Sequence, residues 1–325
     1  MDSEICSLPA PQLYRTLMHG FHFISFPIYF VALVILFREK SKDFRTYKYY
    51  IIMHIFINIA GECFVSYLML PVTYLPLRAI RTTGLLAQWG FSGMFQFHCL
   101  GQFIILTIGS ILEMLYFRFK ICIMIHDGRT YSTILKWKMY LYRMSVFLNP
   151  LGVALTLKQS LEDVQNELAR LLKNDPTLPP ELGCNSVVVA VFNANNFWII
   201  IIFYIINTLL ACCAGFGSFS YMIVYIRKSK ILSKNTAKMQ MTLVLSLFVQ
   251  GGIHCTLIFA PVSLFIYALF SSFNSNDIAK FLFLSVSYHG FFSTCAMICF
   301  TKPLRDRMLP FLNRKQNRAS VSSGP

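Results

Sequence analysis

Charged residues are scarce in this chain of 325 residues. They make up 13% of the sequence, against about 25% in soluble domains. Apolar residues make up 56%, and they gather in continuous runs of roughly twenty residues, the length that crosses a bilayer as a helix. Transmembrane barrels show alternating segments of about ten residues instead. This pattern excludes a soluble domain and a barrel, and it predicts a helical membrane protein.

Acidic residues are especially few. Asp and Glu number 14 against 29 Lys and Arg, which gives a net charge of +15. In a soluble chain such an excess indicates nucleic-acid binding. Here the basic residues lie in particular loops between the apolar runs, where positive charge is a sign of membrane orientation. We therefore expect no nucleic-acid partner.

Residue combinations typical of metal sites, catalytic sites or a retinal site are also missing. The ten cysteines show no zinc-finger spacing, and no His pair has a third Cys or carboxylate at the spacing of metal ligands. No nucleophile, base and orienting group recur at a plausible spacing. The stretch 281–300 contains no Lys, which excludes a retinal Schiff base there. The sequence thus predicts a protein that is not an enzyme and holds no metal or cofactor.

The apolar runs predict an all-α fold, a bundle of seven transmembrane helices. The fourth run is interrupted by Arg143 and Pro150, and the fifth and sixth exceed the roughly twenty residues that a bilayer needs. We expect those two helices to tilt or to project into the cytoplasm. The spans are placed near 17–37, 49–70, 94–117, 139–157, 197–226, 239–270 and 281–300.

Loop charge predicts the orientation of this bundle. Segments 38–48, 118–138, 227–238 and 301–325 hold 21 basic and 4 acidic residues, whereas segments 1–16, 71–93, 158–196 and 271–280 hold 7 basic and 8 acidic residues. Positive charge accumulates on the cytoplasmic side. We therefore expect residues 1–16 to be an extracellular N-terminal segment and residues 301–325 to be a basic cytoplasmic tail.

The second outer loop contains its own helix signal. Ser160 is followed by acidic residues, as at a helix N-terminus, and Pro176 lies shortly beyond the end. We expect a short amphipathic helix that begins at Ser160 and either packs on neighbouring loops or covers a ligand. Its apolar stripe consists of Leu161, Val164, Leu168, Leu171 and Leu172.

A series of short motifs runs along nearly the whole chain. They are Cys6, Phe26-Pro27-Ile28, Lys48-Tyr49-Tyr50 with His54, Pro71, Arg118, Ser233 to Gln240 with Gln250, His289-Gly290, Ser293-Thr294 and Pro303-Leu304-Arg305. No single motif is specific, but in their order and spacing they resemble the nematode serpentine chemoreceptors, most closely class H and then class I. One departure is that Arg118 lacks the family's acidic residue two positions before it; the nearest acid, Glu113, lies five residues back.

The resemblance implies a G-protein-coupled chemosensory receptor in the plasma membrane, in the sensory cilium of chemosensory neurons. It would bind a small organic molecule from outside and activate a heterotrimeric G protein by a helix rearrangement. A small-molecule or ion transporter is the alternative function. Against it, the span count is odd, there is no internal repeat, and Glu62 and Glu113 are the only acidic residues within the spans.

Polar side chains inside the spans are the candidate ligand contacts, because such groups are costly in a bilayer. Each could instead be a structural residue that is hydrogen-bonded within the bundle. For Glu62 the choice between structural bond and ligand contact stays open. Gly251 and Gly252 would allow either close backbone approach or a weak point in the sixth helix. The candidates are Glu62, His98, Gln102, Gln250, His254, Tyr288 and His289.

The inner face carries the candidates for G-protein coupling. The loop after residue 226 has five basic residues and no acid, so it can also bind anionic lipid headgroups, at about 1 kcal/mol per charge. Arg118 would close the third helix at this face. The coupling candidates are Arg118, Arg227, Lys228, Lys234, Gln240 and Arg305.

Two cysteines, Cys6 and Cys184, fall in segments placed outside the membrane, where the compartment is oxidising. We expect a disulfide between them that holds the long second outer loop over the mouth of a cavity. The alternative partner of Cys184 is Cys99, near the outer end of the third helix.

Overall fold

In the computed structural model the chain is mostly helical, and long helices are separated by short connections. The structure describes residues 3–6, 8–40, 45–75, 77–121, 129–192, 194–228, 233–271, 275–301 and 305. Its α-helices are α1 (Ser3–Cys6), α2 (Gln12–Gly20), α3 (His22–Arg38), α4 (Arg45–Cys63), α5 (Leu85–Gln88), α6 (Gly93–Phe119), α7 (Arg129–Asn174), α8 (Asn195–Lys228), α9 (Lys234–His254), α10 (Ala260–Phe270) and α11 (Asn276–Phe300).

Within the part of the chain that the structure describes, six stretches are long and apolar enough to cross a membrane: Gln12–Arg38, Arg45–Met69, Gly93–Phe119, Trp198–Lys228, Gln240–Ala268 and Asn276–Phe300. They coincide with six of the predicted spans. Large apolar side chains on these helices point away from the protein, among them Phe23, Phe30 and Leu209. Exposed apolar surface on this scale is what a lipid-facing helix presents. The expectation of an all-α membrane bundle is confirmed.

The predicted fourth span and the predicted short helix after it form one helix, α7, of 46 residues. The expected helix start at Ser160 is therefore wrong. Residues 157–160 contain neither Gly nor Pro to end the helix, and the Ser160 side chain is buried in mid-helix. At 1.5 Å per residue α7 is about 69 Å long, roughly twice the thickness of the hydrocarbon core. Its outer half consequently projects beyond the membrane.

The bundle packs around α4, α6 and α11. Helix α4 contacts α6 and α11, while α11 also contacts α3 and α9. One continuous core runs through these contacts and includes Tyr29, Ile51, Leu112, Met222 and Met297. Helix α11 crosses α3 and α4 at Gly290, where a residue with a side chain does not fit. A Cβ there would lie 2.8 Å from both the Asn58 Cβ and the Tyr29 hydroxyl.

A small antiparallel sheet, which the sequence did not predict, covers one end of the bundle. Its strands are β1 (Pro71–Tyr74), β2 (Ala79–Thr82) and β3 (Val187–Val189), in the order β1-β2-β3. Pro71 pairs with Thr82, and Ile80 pairs with Val188. The apolar face of α7 packs beneath it, with Val164 and Leu168 in the same cluster as β3. We call this sheet, together with Arg78 just before β2 and the outer half of α7, the outer cap.

The four segments predicted to be extracellular meet in the outer cap. The sulfur atoms of Cys6 and Cys184 lie at bonding distance, 1.99 Å, which ties the N-terminal segment to the second outer loop. Arg81 donates a hydrogen bond to the Leu8 carbonyl. The Leu75 N–H donates to Asn276 Oδ1 at 2.8 Å, which joins segment 71–93 to segment 271–280. These four segments therefore lie at one end of the bundle, as expected when two spans separate each segment from the next.

A polar cluster lies within this cap. Arg81 is buried, and its guanidinium lies 3.4 Å from the Tyr74 hydroxyl and 3.9 Å from the Glu181 carboxylate. Burial raises the pKa of the Tyr74 hydroxyl.

Gly93 begins α6 where a Cβ would stand 2.4 Å from the Ser186 carbonyl oxygen. The second outer loop thus rests directly on the start of α6.

The shared position of these segments gives a direct test of orientation. An epitope tag on the N-terminus should stain intact cells, whereas a C-terminal tag should stain only after permeabilisation, because basic loops stay in the cytoplasm. Staining of the N-terminal tag only after permeabilisation would contradict the seven-span topology.

Candidate functional site

A cavity of about 680 Å³ lies between α6, α8, α9 and α10 beneath the outer cap. This volume is in the range of small-molecule sites. Most of its wall is apolar, formed by residues such as Ile104, Ile108, Phe219, Leu247, Phe248 and Ile258. The outer cap supplies its rim, with Arg78, Asp163 and Val188. Such a cavity suits a largely apolar ligand.

Two of the predicted ligand contacts, His98 and His254, line this cavity. His98 lies in the outer part of α6, is 3% exposed, and has no hydrogen-bond partner at either ring nitrogen among the described residues. His254 lies at the end of α9 and is also buried. Its Nε2 likewise has no partner among the described residues, although buried polar atoms are usually paired.

The backbone around His254 departs from regular α-helix. Residues Cys255–Phe259 form a π-helical turn, which precedes Pro261. Proline lacks an N–H and its ring crowds the preceding turn, and single π-turns are frequent at functional sites. The interpretation of Gly251 and Gly252 as sites of close backbone approach is wrong, because a Cβ at either position would meet nothing within 4 Å. Both glycines border the cavity.

Three buried imidazoles from three helices meet beside the cavity. We call His54 of α4, His254 of α9 and His289 of α11 the histidine cluster. The ring centroids of His54 and His254 are 5.7 Å apart, and those of His254 and His289 are 5.2 Å apart. Among the described residues no group of three His, Cys, Asp or Glu side chains could hold a metal ion. The ring nitrogens of the cluster can donate or accept hydrogen bonds.

Hydrogen bonds assign the same tautomer to all three rings. His254 Nδ1 lies 2.7 Å from the Gln250 carbonyl, which can only accept, so Nδ1 carries the proton. His289 Nδ1 likewise donates to the Val286 carbonyl. Ser110 Oγ donates to the Thr107 carbonyl and so accepts from His54 Nδ1 at 2.7 Å.

The second ring nitrogens differ in their partners. His54 Nε2 accepts from Ser293 Oγ and from Asn58 Nδ2, both at 3.1 Å. His254 Nε2 and His289 Nε2 have no partner among the described residues. Neutral imidazoles of this tautomer accept at Nε2, so these two nitrogens need a donor from elsewhere.

Glu62 lies apart from the cavity, in a network that joins α4 to α3. Ser25 Oγ donates to Glu62 Oε1, and the Tyr29 hydroxyl donates to Oε2 at 2.7 Å. His22 Nδ1 lies 3.1 Å from Oε1. Ser66 extends the network, since its hydroxyl donates to the Glu62 carbonyl and accepts from His22 Nε2. With its carboxylate enclosed in this way, Glu62 has the surroundings of a structural residue.

Three other predicted ligand contacts also lie outside the cavity wall. Gln102 accepts from Asn149 Nδ2 at 2.6 Å, which links α6 to α7. Gln250 donates to Ser246 Oγ one turn earlier. The Tyr288 hydroxyl donates to the Leu17 carbonyl, and its ring stacks on Phe21. His289 belongs to the histidine cluster but does not itself border the cavity.

Arg118 is buried at the inner end of α6 against an aromatic ring. Its guanidinium carbon lies 3.6 Å from the centroid of Tyr47 on α4, the geometry of a cation–π contact. Glu113, the nearest acid in the sequence, instead pairs with Arg143 of α7 through two bonds of 2.6 and 2.8 Å. Arg118, which lacks the family's acidic residue two positions before it, thus contacts the Tyr47 ring.

The remaining coupling candidates lie towards the same end. Arg227 and Lys228 end α8 with exposed side chains. Gln240 is buried in α9. Arg305 Nη1 lies 3.5 Å from the Cys299 carbonyl. The Lys234 side chain lies outside the described residues.

Tyr204 is a cavity residue that sequence reasoning missed. It contacts α6 at Gly101, where a Cβ would lie 2.1 Å from the Tyr204 hydroxyl. An aromatic residue in an apolar run gives no signal of its own. Gly101, on the same helix as His98, could have indicated from the sequence that another helix approaches closely there.

Comparison with known proteins agrees with this architecture. The family model described as serpentine type 7TM GPCR chemoreceptor Srh matches residues 9–314. No curated protein and no solved structure matched the chain. The resemblance to class H is confirmed, and it favours a receptor over a transporter. The chain belongs to the serpentine seven-transmembrane chemoreceptors of the Srh family.

Proposed function

We propose that this chemoreceptor binds a small organic molecule in the cavity beneath the outer cap and then activates a heterotrimeric G protein. The observation that carries this is the 680 Å³ apolar cavity with His98 and His254 in its wall. Binding would favour one of two helix arrangements, which changes the inner surface. The π-turn and Pro261 at the outer end of α9 are where that helix could bend.

Filling the cavity should weaken the response to ligand. Calcium imaging of expressing cells against volatile and water-soluble compounds would first identify an agonist. We expect Gly251→Phe to raise the agonist concentration for half-maximal response at least tenfold, because the new ring occupies cavity space without meeting backbone. Gly152→Phe is the matched control, since Gly152 also has open space around it but lies on α7 outside the cavity wall. An unchanged response in Gly251→Phe would contradict this binding site.

Coupling would depend on the contact of Arg118 with Tyr47. A desolvated cation–π pair is worth about 2 kcal/mol, so losing it can change a two-state ratio by more than tenfold. We expect Tyr47→Leu to raise ligand-independent signalling, because it releases the Arg118 guanidinium from the ring. We expect Arg118→Ala to lower signalling at unchanged surface expression, because it removes the guanidinium itself. Tyr49→Leu is the control, because Tyr49 is on the same helix and 59% exposed. Normal signalling by Arg118→Ala would refute its coupling role.

The inner basic residues support a second part of the proposal. Exposed Arg227 and Lys228 would contact anionic lipid headgroups as well as the G protein. The plasma membrane of a sensory cilium would be the site of action, which rests on the family resemblance.

A further inference from the structure

The cavity carries information about the chemical class of its ligand, and this inference rests on the proposed binding site. We propose that the cavity selects an uncharged, mainly apolar molecule with a hydroxyl group that donates a hydrogen bond to His254 Nε2. Two features of the wall lead to this class, the tautomer of His254 and the position of the charged residues, and the unpaired imidazole of His98 adds a second polar contact.

His254 requires a donor. Its Nδ1 proton is committed to the Gln250 carbonyl at 2.7 Å, so Nε2 presents a lone pair. The neighbouring His289 cannot satisfy it, because its own proton is committed to the Val286 carbonyl. Among the described residues no other donor reaches His254 Nε2. A ligand hydroxyl fits this nitrogen, whereas an ether or carbonyl oxygen does not.

Charge is confined to the rim. Of the described residues that line the cavity, only Arg78 and Asp163 are charged, and both belong to the outer cap. The Arg78 guanidinium already lies 5.0 Å from the centroid of Phe192. A carboxylate or ammonium group beside His254 would be buried among apolar side chains without an opposite charge, which is strongly unfavourable. The deep part of the cavity therefore favours a neutral ligand.

His98 supplies a second, less selective contact in the outer part of the cavity. Both its ring nitrogens are unpaired among the described residues, so the ring can donate or accept. It would tolerate several polar groups near the rim. Selection for the hydroxyl would come from His254.

The test compares ligands of equal size in a binding assay that needs no G protein. Purified receptor in nanodiscs is loaded with the fluorescent probe 1-aminoanthracene, which is then displaced by 1-octanol, heptyl methyl ether or octanoate. We expect 1-octanol to displace the probe at roughly tenfold lower concentration than the ether, as one hydrogen bond to a buried acceptor predicts. Octanoate should be the weakest of the three.

Variants assign the preference to His254. His254→Phe should bring the ratio between alcohol and ether to about one, and His254→Gln, which keeps an acceptor, should restore part of it. His19→Phe makes the same chemical change outside the cavity and should leave the ratio unchanged. An equal ratio in wild type and His254→Phe, or displacement by octanoate ahead of 1-octanol, overturns the inferred ligand class while the cavity site stands. Probe binding that Gly251→Phe leaves unchanged overturns the cavity site itself.

Discussion

Replacing Cys184 with serine is expected to lower the amount of receptor at the cell surface several-fold. The bridge to Cys6 closes a loop between residues 178 positions apart. In the chain-entropy model such a closure is worth about 4–5 kcal/mol, an upper figure here because the helices already constrain the chain. Cys184 is buried beside β3 and α7, so its loss also loosens the packing of the outer cap. Flow cytometry of an N-terminal tag gives the measurement.

The pairing itself can be tested by non-additivity. If Cys6 and Cys184 form one bond, the double variant Cys6→Ser with Cys184→Ser should be no worse than either single variant. Cys99→Ser is the control and should keep wild-type surface levels, since Cys99 is a free thiol in the structure. Non-reducing peptide mapping that recovers Cys184 as a free thiol, or pairs it with Cys99, would show that the pairing is wrong.

Replacing Glu62 with leucine should destabilise the bundle about as strongly as losing the disulfide would. The carboxylate accepts hydrogen bonds from Ser25 and Tyr29, and both would be left buried and unpaired. Each buried polar group left without a partner costs about 1–3 kcal/mol. We expect the thermal midpoint of the detergent-purified receptor to fall by roughly 5 °C or more, on the scale of 2–4 °C per kcal/mol.

A matched variant separates burial from chemistry in this prediction. Glu162→Leu makes the same change at an exposed position on α7 and should leave the midpoint within about a degree, as surface substitutions usually do. Glu62→Gln should lie between, because the amide keeps one acceptor oxygen. A Glu62→Gln receptor of normal stability that no longer responds to agonist would instead make Glu62 a ligand contact.

The sequence by itself determined the class of fold. Bilayer thickness dictates the length of an apolar helix, so runs such as Gly93–Phe119 and Asn276–Phe300 could be located from composition alone. Loop charge similarly predicted which segments share a side, and four of them meet in the outer cap. The motifs identified the family because their order and spacing along the seven spans, and no single motif, are specific.

The site was decided by tertiary structure. Of the seven predicted ligand contacts, the cavity wall includes His98 and His254, whereas Glu62 is hydrogen-bonded to Tyr29 of α3 and Gln102 to Asn149 of α7. Sequence shows that a polar residue is buried in a span, but only the positions of the other helices show whether a partner reaches it. The continuous α7 was missed because the acids after Ser160 resemble a helix start, although residues 157–160 contain neither Gly nor Pro. The three strands escaped prediction for a different reason. Their stability comes from packing between segments far apart in the chain, which local patterns do not contain.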